Sequence, residues 1–124
     1  MKKGYVITDT LGGNSLEMLN SIVKKLCGGT RVDSGEFAYS TKQMRLITDM
    51  VLARKWIILG GDVYNSCGKF SYISWCFEPL PYLSLEENVN ASIETCCNFL
   101  EKIEMQMPNS LFVPVISDKY IAGK

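Results

Sequence analysis

The sequence predicts an α+β fold in which a small sheet with a central hairpin packs against about three helices. Two β-rich runs flank a short glycine-containing turn near the middle of the chain. Three capping boxes, each a serine or asparagine followed three residues later by glutamate or glutamine, precede apolar residues at helical spacing. A further β-rich run follows the third helical segment, so the order (β)-α-α-β-β-α-β favours helices packed on one small sheet.

The first helix and the segment before it lie near the N-terminus. Residues 5–10 predict a short strand or an ordered arm. Asn14 begins the first capping box, and its helix ends where Gly28 provides a residue that readily adopts the left-handed conformation. No long apolar stretch follows the first two lysines, so this segment does not have the pattern of a signal peptide.

A loop separates the first predicted helix from the second. Residues 29–39 have no helical periodicity, and Gly35–Tyr39 favours a short strand within them. Ser40 begins the second capping box, which predicts a helix that ends at about Arg54. Apolar residues recur at helical spacing in this segment, so we expect the helix to present one face to the core.

The central hairpin is predicted by Trp56–Tyr64 and Phe70–Phe77, with Gly68 in the turn between them. Strict alternation along the first strand places Ile58 and Gly60 on the same face. Both faces carry large side chains, so some aromatic residues are expected to be exposed unless helices cover both faces. Alternation groups four residues of the second strand on one face: Phe70, Tyr72, Ser74 and Cys76.

The third helix and a last strand complete the predicted fold. Ser84 begins the third capping box and predicts the longest helix, which ends at about Met105. Leu111–Ser117 predicts the last strand, in which Pro114 favours an edge position or a bulge because proline donates no hydrogen bond. Since a long helical crossover precedes this strand, we expect it to pair in parallel with a hairpin strand. Asp118–Lys124 is expected to be a frayed tail.

The composition is that of a globular protein that can form a core without disulfides or a metal. The 124 residues are 47% hydrophobic and 21% charged, and we expect one domain, residues 1–124. The apolar stretches are too short to span a bilayer, so we expect no membrane partner and a cytoplasmic location. The five cysteines are expected to be reduced and mostly buried. We expect a monomer or a weak homo-oligomer, since a net charge of zero permits self-association.

The residue types present count against an enzyme. The chain contains no histidine, which excludes Ser-His-Asp and Cys-His catalysis and most transition-metal sites. It contains no glycine-rich nucleotide-binding motif and no Cys-x-x-Cys pair. The glutamates of residues 78–104 are spread mostly along one helix, so they do not converge on a metal or form an acid–base pair. We therefore expect no catalytic residue, no metal and no cofactor.

Charge is distributed unevenly although the net charge is zero. Residues 1–55 contain nine basic and five acidic residues, a balance of +4, whereas residues 78–104 contain six glutamates and one lysine, a balance of −5. An acidic face of this kind suits a basic protein partner, but it is also the pattern of a solvated helix face. The basic residues are not interleaved with the aromatic ones, so no nucleic-acid partner is expected.

Gly60-Gly61-Asp62 interrupts an apolar strand. Two glycines permit a backbone conformation closed to other residues, or a very close approach by another segment. One interpretation is a β-bulge or strand kink in which Asp62 bonds nearby amides. A second is that the Asp62 carboxylate faces a partner. A phosphate-binding loop is disfavoured because no helix begins after the glycines.

The hairpin and the segments after it resemble the Immunity protein 40 family of bacterial polymorphic-toxin systems. The resemblance covers about residues 41–117, and it is sharpest in the string Leu-Gly-Gly-Asp-Val-Tyr, which ends at Tyr64. Ser92-Ile93 on the third helix and Phe112–Ile116 in the last strand also match. The family-motif residues are Trp56, Gly60, Gly61, Asp62, Val63, Tyr64 and Trp75.

The resemblance implies an antitoxin that binds and neutralises the effector domain of a cognate toxin in the cytosol, without catalysis. Contact-dependent growth inhibition is one such setting. Many of these toxins are nucleases with basic clefts, which an acidic helix would complement. The alternative is a small ligand- or peptide-binding regulatory domain, which a concave apolar pocket would favour. The residues predicted to bind the toxin are Asp62, Tyr64, Trp75, Glu78, Glu86 and Glu87.

Overall fold

The computed structural model describes residues 5–7, 16–118 and 120–122. These residues form three helices and seven short or medium strands, which confirms the predicted α+β class. The helices are α1 (Leu16–Cys27), α2 (Thr41–Arg54) and α3 (Leu85–Gln106). The strands are β1 (Tyr5–Ile7), β2 (Thr30–Arg31), β3 (Phe37–Ala38), β4 (Ile57–Tyr64), β5 (Phe70–Cys76), β6 (Leu111–Ser117) and β7 (Tyr120–Ala122).

Two helices begin with the predicted capping chemistry. At α2 the Ser40 hydroxyl accepts a hydrogen bond from the Gln43 N–H, and the Gln43 side chain accepts one from the Ser40 N–H. Ser84 and Glu87 form the same reciprocal pair at α3. Because each box is closed within four residues, the sequence specifies it without help from the rest of the fold. The capping box expected at Asn14 lies outside the described residues.

The central sheet is antiparallel, with the strand order β5-β4-β6. The expected parallel pairing of the last strand is therefore wrong. Helix α3 carries the chain from β5 back across the sheet, so β6 runs in the same direction as β5. It lies on the far side of β4, however, and pairs with that strand instead. Two smaller antiparallel sheets pair β1 with β7 and β2 with β3.

β4 contains a β-bulge at Leu59. The register with β6 shifts between Ile58 and Gly60, which leaves Leu59 without a partner in that strand. The extra residue reverses the alternation of side chains, so Ile58 and Val63 share one core although they are five positions apart. The expected common face of Ile58 and Gly60 is therefore wrong. The bulge expected near the glycine pair is present beside it, at Leu59.

The three helices cover one face of the central sheet and enclose the larger core. The β2–β3 hairpin covers one end of the opposite face, where Val32 and Ala38 pack against Tyr64 and Val113. Within the described residues, the helices therefore pack on one face of the sheet, and only the hairpin packs on the other. The larger core contains Val23, Tyr39, Met44, Ile47, Val51, Ile58, Val63, Cys96, Leu100, Ile103, Phe112 and Ile116.

β6 is an edge strand, as Pro114 predicted. A single bridge between Tyr39 and Phe112 joins its outer side to the residue that follows β3. The expected frayed tail is wrong in part, because Tyr120–Ala122 pairs with Tyr5–Ile7. That pairing joins segments from the two ends of the chain, so no pattern within either segment could indicate it.

Candidate functional site

Among the residues that the structure describes, only the β2–β3 hairpin packs on the sheet face opposite the helices, at one end. We call the rest of this face the open face. Alternate residues of a strand point to the same face, so side chains from neighbouring strands stand beside each other there. The predicted grouping of alternate residues in the second hairpin strand is confirmed on this face. The open face consists of Gly60, Asp62, Phe70, Tyr72, Ser74, Cys76 and Val115.

Asp62 is the single charged residue in the three strands of the central sheet. It lies in the middle strand, between Ser74 of β5 and Val113 of β6. Its side chain is half-buried, and its carboxylate has no hydrogen bond or ion pair with any residue that the structure describes. The interpretation in which Asp62 bonds nearby amides does not hold for these residues. Its partly desolvated charge is available to a cation.

A second irregularity in the sheet raises Tyr72 above the open face. The register between β4 and β5 shifts after Val63, so Ser71 and Tyr72 have no partner in β4. Tyr72 adopts a left-handed conformation with φ of 63°, which costs a residue with a Cβ about 1 kcal/mol or more. The Ser71 hydroxyl fixes this bulge, since it donates to the Val63 carbonyl at 2.6 Å and accepts from the Ile73 N–H at 3.2 Å.

Three rings form what we call the aromatic ridge: Tyr64, Phe70 and Tyr72. The ring centroids of Tyr64 and Phe70 are 5.5 Å apart, and those of Phe70 and Tyr72 are 5.0 Å apart. The exposed fraction of the side chains rises from 5% at Tyr64 through 38% at Phe70 to 89% at Tyr72. The buried ring of Tyr64 therefore contacts the exposed ring of Phe70, which in turn contacts the exposed ring of Tyr72.

The two motif glycines bring Trp75 against β4. Gly60 has the expected special conformation, with φ of 137°, and a Cβ there would overlap the backbone carbonyl of Trp75. Gly61 shows the expected close approach, because a Cβ there would lie 2.6 Å from Cη2 of Trp75. The indole stacks on Phe99 of α3 with ring centroids 4.7 Å apart. Trp75 therefore packs the hairpin against α3.

Ser92 joins α3 to β4 beside the bulge. Its Oγ accepts a hydrogen bond from the Ile58 N–H at 3.3 Å and donates one to the Val89 carbonyl at 2.9 Å. All three residues are buried, so the hydroxyl satisfies an amide that water cannot reach. The bulge, the glycine pair, Trp75 and Ser92 thus form one packed unit.

A family model described as Immunity protein 40 matches residues 28–116. This chain belongs to the Immunity protein 40 family. The match begins before residue 41, where the resemblance was expected to begin, so the family region includes the β2–β3 hairpin. Searches of curated proteins and of solved structures found no match.

Most motif residues of this immunity protein have a role in packing. The exception is Asp62, which fills no core and bonds no described neighbour. A strand position that faces outward in the middle of a sheet needs no carboxylate for folding. Each of the other motif residues is buried, packs against a core or must be small because of a close contact. These residues are Trp56, Gly60, Gly61, Val63, Tyr64 and Trp75.

Of the three strand residues predicted to bind the toxin, Asp62 and Tyr64 share one face of the sheet and Trp75 lies on the other. Asp62 lies on the open face, where Tyr64 forms the buried base of the aromatic ridge. Trp75 points to the opposite face and packs under α3. Its indole Nε1 is buried without a hydrogen-bond partner among the described residues, so its contribution in the free protein is apolar packing.

The three glutamates predicted to bind the toxin lie on other elements. Glu78 is exposed in the loop after β5, and Glu86 and Glu87 are exposed at the start of α3. Helix α3 covers the face opposite the open face, so Glu86 and Glu87 do not share a surface with Asp62. Glu87 is also engaged in the helix cap, where its Oε1 accepts a hydrogen bond from the Ser84 N–H at 2.9 Å.

A buried amide fixes the loop that carries Glu78. Asn88 has no exposed surface, and its Oδ1 accepts from the Leu80 N–H at 2.9 Å while its Nδ2 donates to the Leu80 carbonyl at 2.9 Å. The same Nδ2 also lies 3.2 Å from the Ser84 carbonyl. The Asn88 amide thus bonds both the N–H and the carbonyl of one loop residue, as a neighbouring strand does in a sheet. These bonds fix the loop where it enters α3.

A cleft of about 450 Å³ lies between α1, the β2–β3 hairpin and the outer edge of β6. Phe37 lines this cleft. The Lys24 Nζ lies 4.1 Å and the Arg31 Cζ 4.8 Å from the centroid of the Phe37 ring. Glu36 and Pro114 also contribute to the lining. These mixed charged and aromatic walls differ from the apolar pocket that would favour a small-ligand domain.

The expectation of mostly buried thiols is wrong for two of the four cysteines whose side-chain burial the structure describes. Cys67 and Cys76 are exposed, Cys97 is half-buried and Cys96 is buried. Burial raises the pKa of Cys96 to about 12, with Cys97 adding to the effect and Arg45 opposing it. The exposed thiols lie in the hairpin, on whose outward face none of the three described helices packs.

Within residues 5–7, 16–118 and 120–122, no group of three or more cysteine, aspartate or glutamate residues could hold a metal ion. None of the helices in the same ranges is both long enough and apolar enough to cross a membrane.

Proposed function

We propose that this immunity protein binds the effector domain of a cognate bacterial toxin through the open face and thereby neutralises it. The observation that carries the proposal is Asp62, the single charge of the central sheet, half-buried and without a described partner. Family membership supports a toxin as the partner. The complex would contain one copy of each protein and form in the cytosol, after the toxin has entered the cell.

The shape of the open face favours a protein over a small ligand. It is a sheet surface with a raised ridge, whereas small-molecule sites are usually concave and enclose most of the ligand. Three strands of about seven residues cover roughly 15 Å by 25 Å, which is less than the ~800 Å² that a stable interface uses on each partner. We therefore include the loop after β5, with Glu78, in the proposed interface.

The proposed target is a nuclease with a basic cleft, which the immunity protein blocks at its active site or at the site of its own partner. The support is the acidic character of residues 78–104, whose net charge is −5. Opposite potentials on two proteins raise the rate of encounter. Glu86, Glu87 and Glu94 are exposed on α3, so in this proposal they attract the toxin, and Asp62 makes a direct contact.

The test is to co-express this chain with the C-terminal domain of the product of the adjacent reading frame. The expected result is that growth is restored and that the two proteins purify together in a one-to-one ratio. Asp62→Asn keeps the shape of the side chain and removes its charge, so it should weaken the complex at least about tenfold, the effect of losing one charged hydrogen bond.

Asp49→Asn is the matched control, because Asp49 is exposed on α2, on the helical side of the sheet. It should leave rescue and affinity unchanged. If wild-type chain neither restores growth nor binds the toxic domain, the proposed function is wrong. If it binds and Asp62→Asn binds equally well, the function stands but the open face is not the interface.

A further inference from the structure

We propose that Asp62 and the aromatic ridge together hold one arginine side chain of the toxin. In this arrangement the guanidinium pairs with the Asp62 carboxylate and stacks against the exposed rings of Phe70 and Tyr72. The inference rests on the proposed function, because it names the group that the open face would recognise. It also adds two residues, Phe70 and Tyr72, that belong neither to the family motif nor to the residues predicted from the sequence.

The first argument is charge balance. Covering the open face with a partner would remove the remaining water from the Asp62 carboxylate, which is costly unless a cation replaces it. The three strands contain no lysine or arginine, so the counter-charge must be supplied from outside the sheet. Arginine suits the position better than lysine, since its planar, weakly hydrated head can pair with a carboxylate and stack on a ring at the same time.

The second argument is the strain at Tyr72. A tyrosine with φ of 63° is unfavourable where glycine or asparagine would fit easily. Because 89% of the side chain is exposed, the ring gains little from burial in the free protein. Strained residues that survive in a protein are concentrated at functional sites, and exposed tyrosines are frequent anchors of protein interfaces. The ring is therefore placed for a partner.

The third argument is distance. Asp62 and Tyr64 are two positions apart on one strand and lie on the same face, which separates their Cα atoms by about 7 Å. Phe70 is directly opposite Tyr64 in β5, and the Tyr72 ring is 5.0 Å from the Phe70 ring. A cation interacts with a ring within about 6 Å of the ring centroid. One guanidinium can therefore reach both the carboxylate and the ridge.

The decisive variant is Tyr72→Gly, because it removes the ring and the strain together. If the tyrosine serves binding, the Tm of the unbound variant should equal that of the wild-type chain or exceed it by up to about 4 °C. Its affinity for the toxin domain of the adjacent reading frame, measured by calorimetry, should fall at least about thirtyfold, as for an interface anchor. Leu46→Ala is the control, since Leu46 is a large side chain, 53% exposed on α2 at the helical side of the sheet, and the variant should keep the wild-type affinity to within about threefold.

A double-mutant cycle tests whether Asp62 and the ring share one group. If a single guanidinium contacts both, Asp62→Asn combined with Tyr72→Gly should weaken binding much less than the product of the two single effects. Independent, multiplicative losses would overturn the shared arginine. Wild-type affinity in Tyr72→Gly, or a clear drop in its Tm, would overturn the role of the ring while the proposed function stands. A wild-type chain that does not bind the domain overturns both.

Discussion

The indole of Trp75 lies so close to Gly61 that the backbone of β4 has no room for a side chain. A Cβ at Gly61 would lie 2.6 Å from Cη2 and 2.8 Å from Cζ3 of Trp75, and 2.5 Å from the carbonyl oxygen of Val113. Gly61 does not have a positive φ, so space alone requires the glycine. Gly60 differs, because both its φ of 137° and its contacts exclude a side chain.

The contact with Trp75 predicts a large cost for Gly61→Ala. The added methyl must displace either the indole or the neighbouring strand, which should lower the free energy of unfolding by about 2–3 kcal/mol. Gly35→Ala is a demanding control: Gly35 has φ of 88°, but a Cβ there would have no neighbour within 4 Å. It should cost only about 1 kcal/mol. Urea denaturation that ranks the two variants in the opposite order would contradict this account of the motif.

Ser92→Ala should leave the Ile58 N–H buried without a partner. Such an amide costs about 1–3 kcal/mol, and its hydrogen exchange should become faster than that of neighbouring β4 amides. Ser66→Ala is the matched control, because Ser66 is exposed in the hairpin turn and has no described hydrogen bond. It should change stability by less than about 0.5 kcal/mol. Equal effects of the two substitutions would show that the Ser92 bond to β4 adds nothing.

A thiol in the open face offers a direct test of the interface. In a Cys67→Ser chain, N-ethylmaleimide at pH 8 should modify Cys76, which is exposed. It should spare Cys96, because burial raises the pKa of that thiol to about 12 and thiols react as thiolates. The adduct stands among the residues proposed to contact the toxin, so it should prevent complex formation.

The control for this labelling is a Cys67→Ser/Cys76→Ser chain treated in the same way. It should bind the toxin domain as the untreated chain does, and mass spectrometry should show no adduct at position 76. Full binding by a chain that carries the adduct at Cys76 would exclude the open face from the interface.

Charge reversal on α3 should change how fast the complex forms. Glu86→Lys with Glu94→Lys is preferable to a variant at Glu87, whose carboxylate completes the helix cap. The association rate should fall severalfold at about 10 mM salt, where the screening length is ~30 Å, and the loss should largely disappear at 0.15 M, where it is ~8 Å. Unchanged rates at low salt would remove the acidic helix from the mechanism.

Local chemistry let the sequence specify much of this fold. The boxes at Ser40 and Ser84 and the turn containing Gly68 depend on hydrogen bonds and backbone preferences within a few residues. Those signals predicted α2, α3 and the hairpin with their ends correct to within about two residues. The motif around Gly60 and Asp62 also indicated the family, which the match to residues 28–116 confirms.

Pairing between distant segments decided what the sequence could not. The partner of β6, the bulge at Leu59 and the pairing of β7 with β1 all depend on strands far apart in the chain. The bulge in turn sets which residues face the core, because one extra residue exchanges the two faces of a strand. This is why alternation alone placed Gly60 on the wrong face.

At the candidate site, too, some features follow from the local sequence and others from contacts between distant segments. The sequence by itself determined that Asp62 would be an unusual carboxylate in an apolar strand, because composition and order suffice to see that. Only the tertiary structure decided that it has no described partner, that Trp75 lies on the opposite face, and that Tyr72 is strained beside it. Exposure and strain are properties of packed neighbours and strand register, which arise only after remote segments meet.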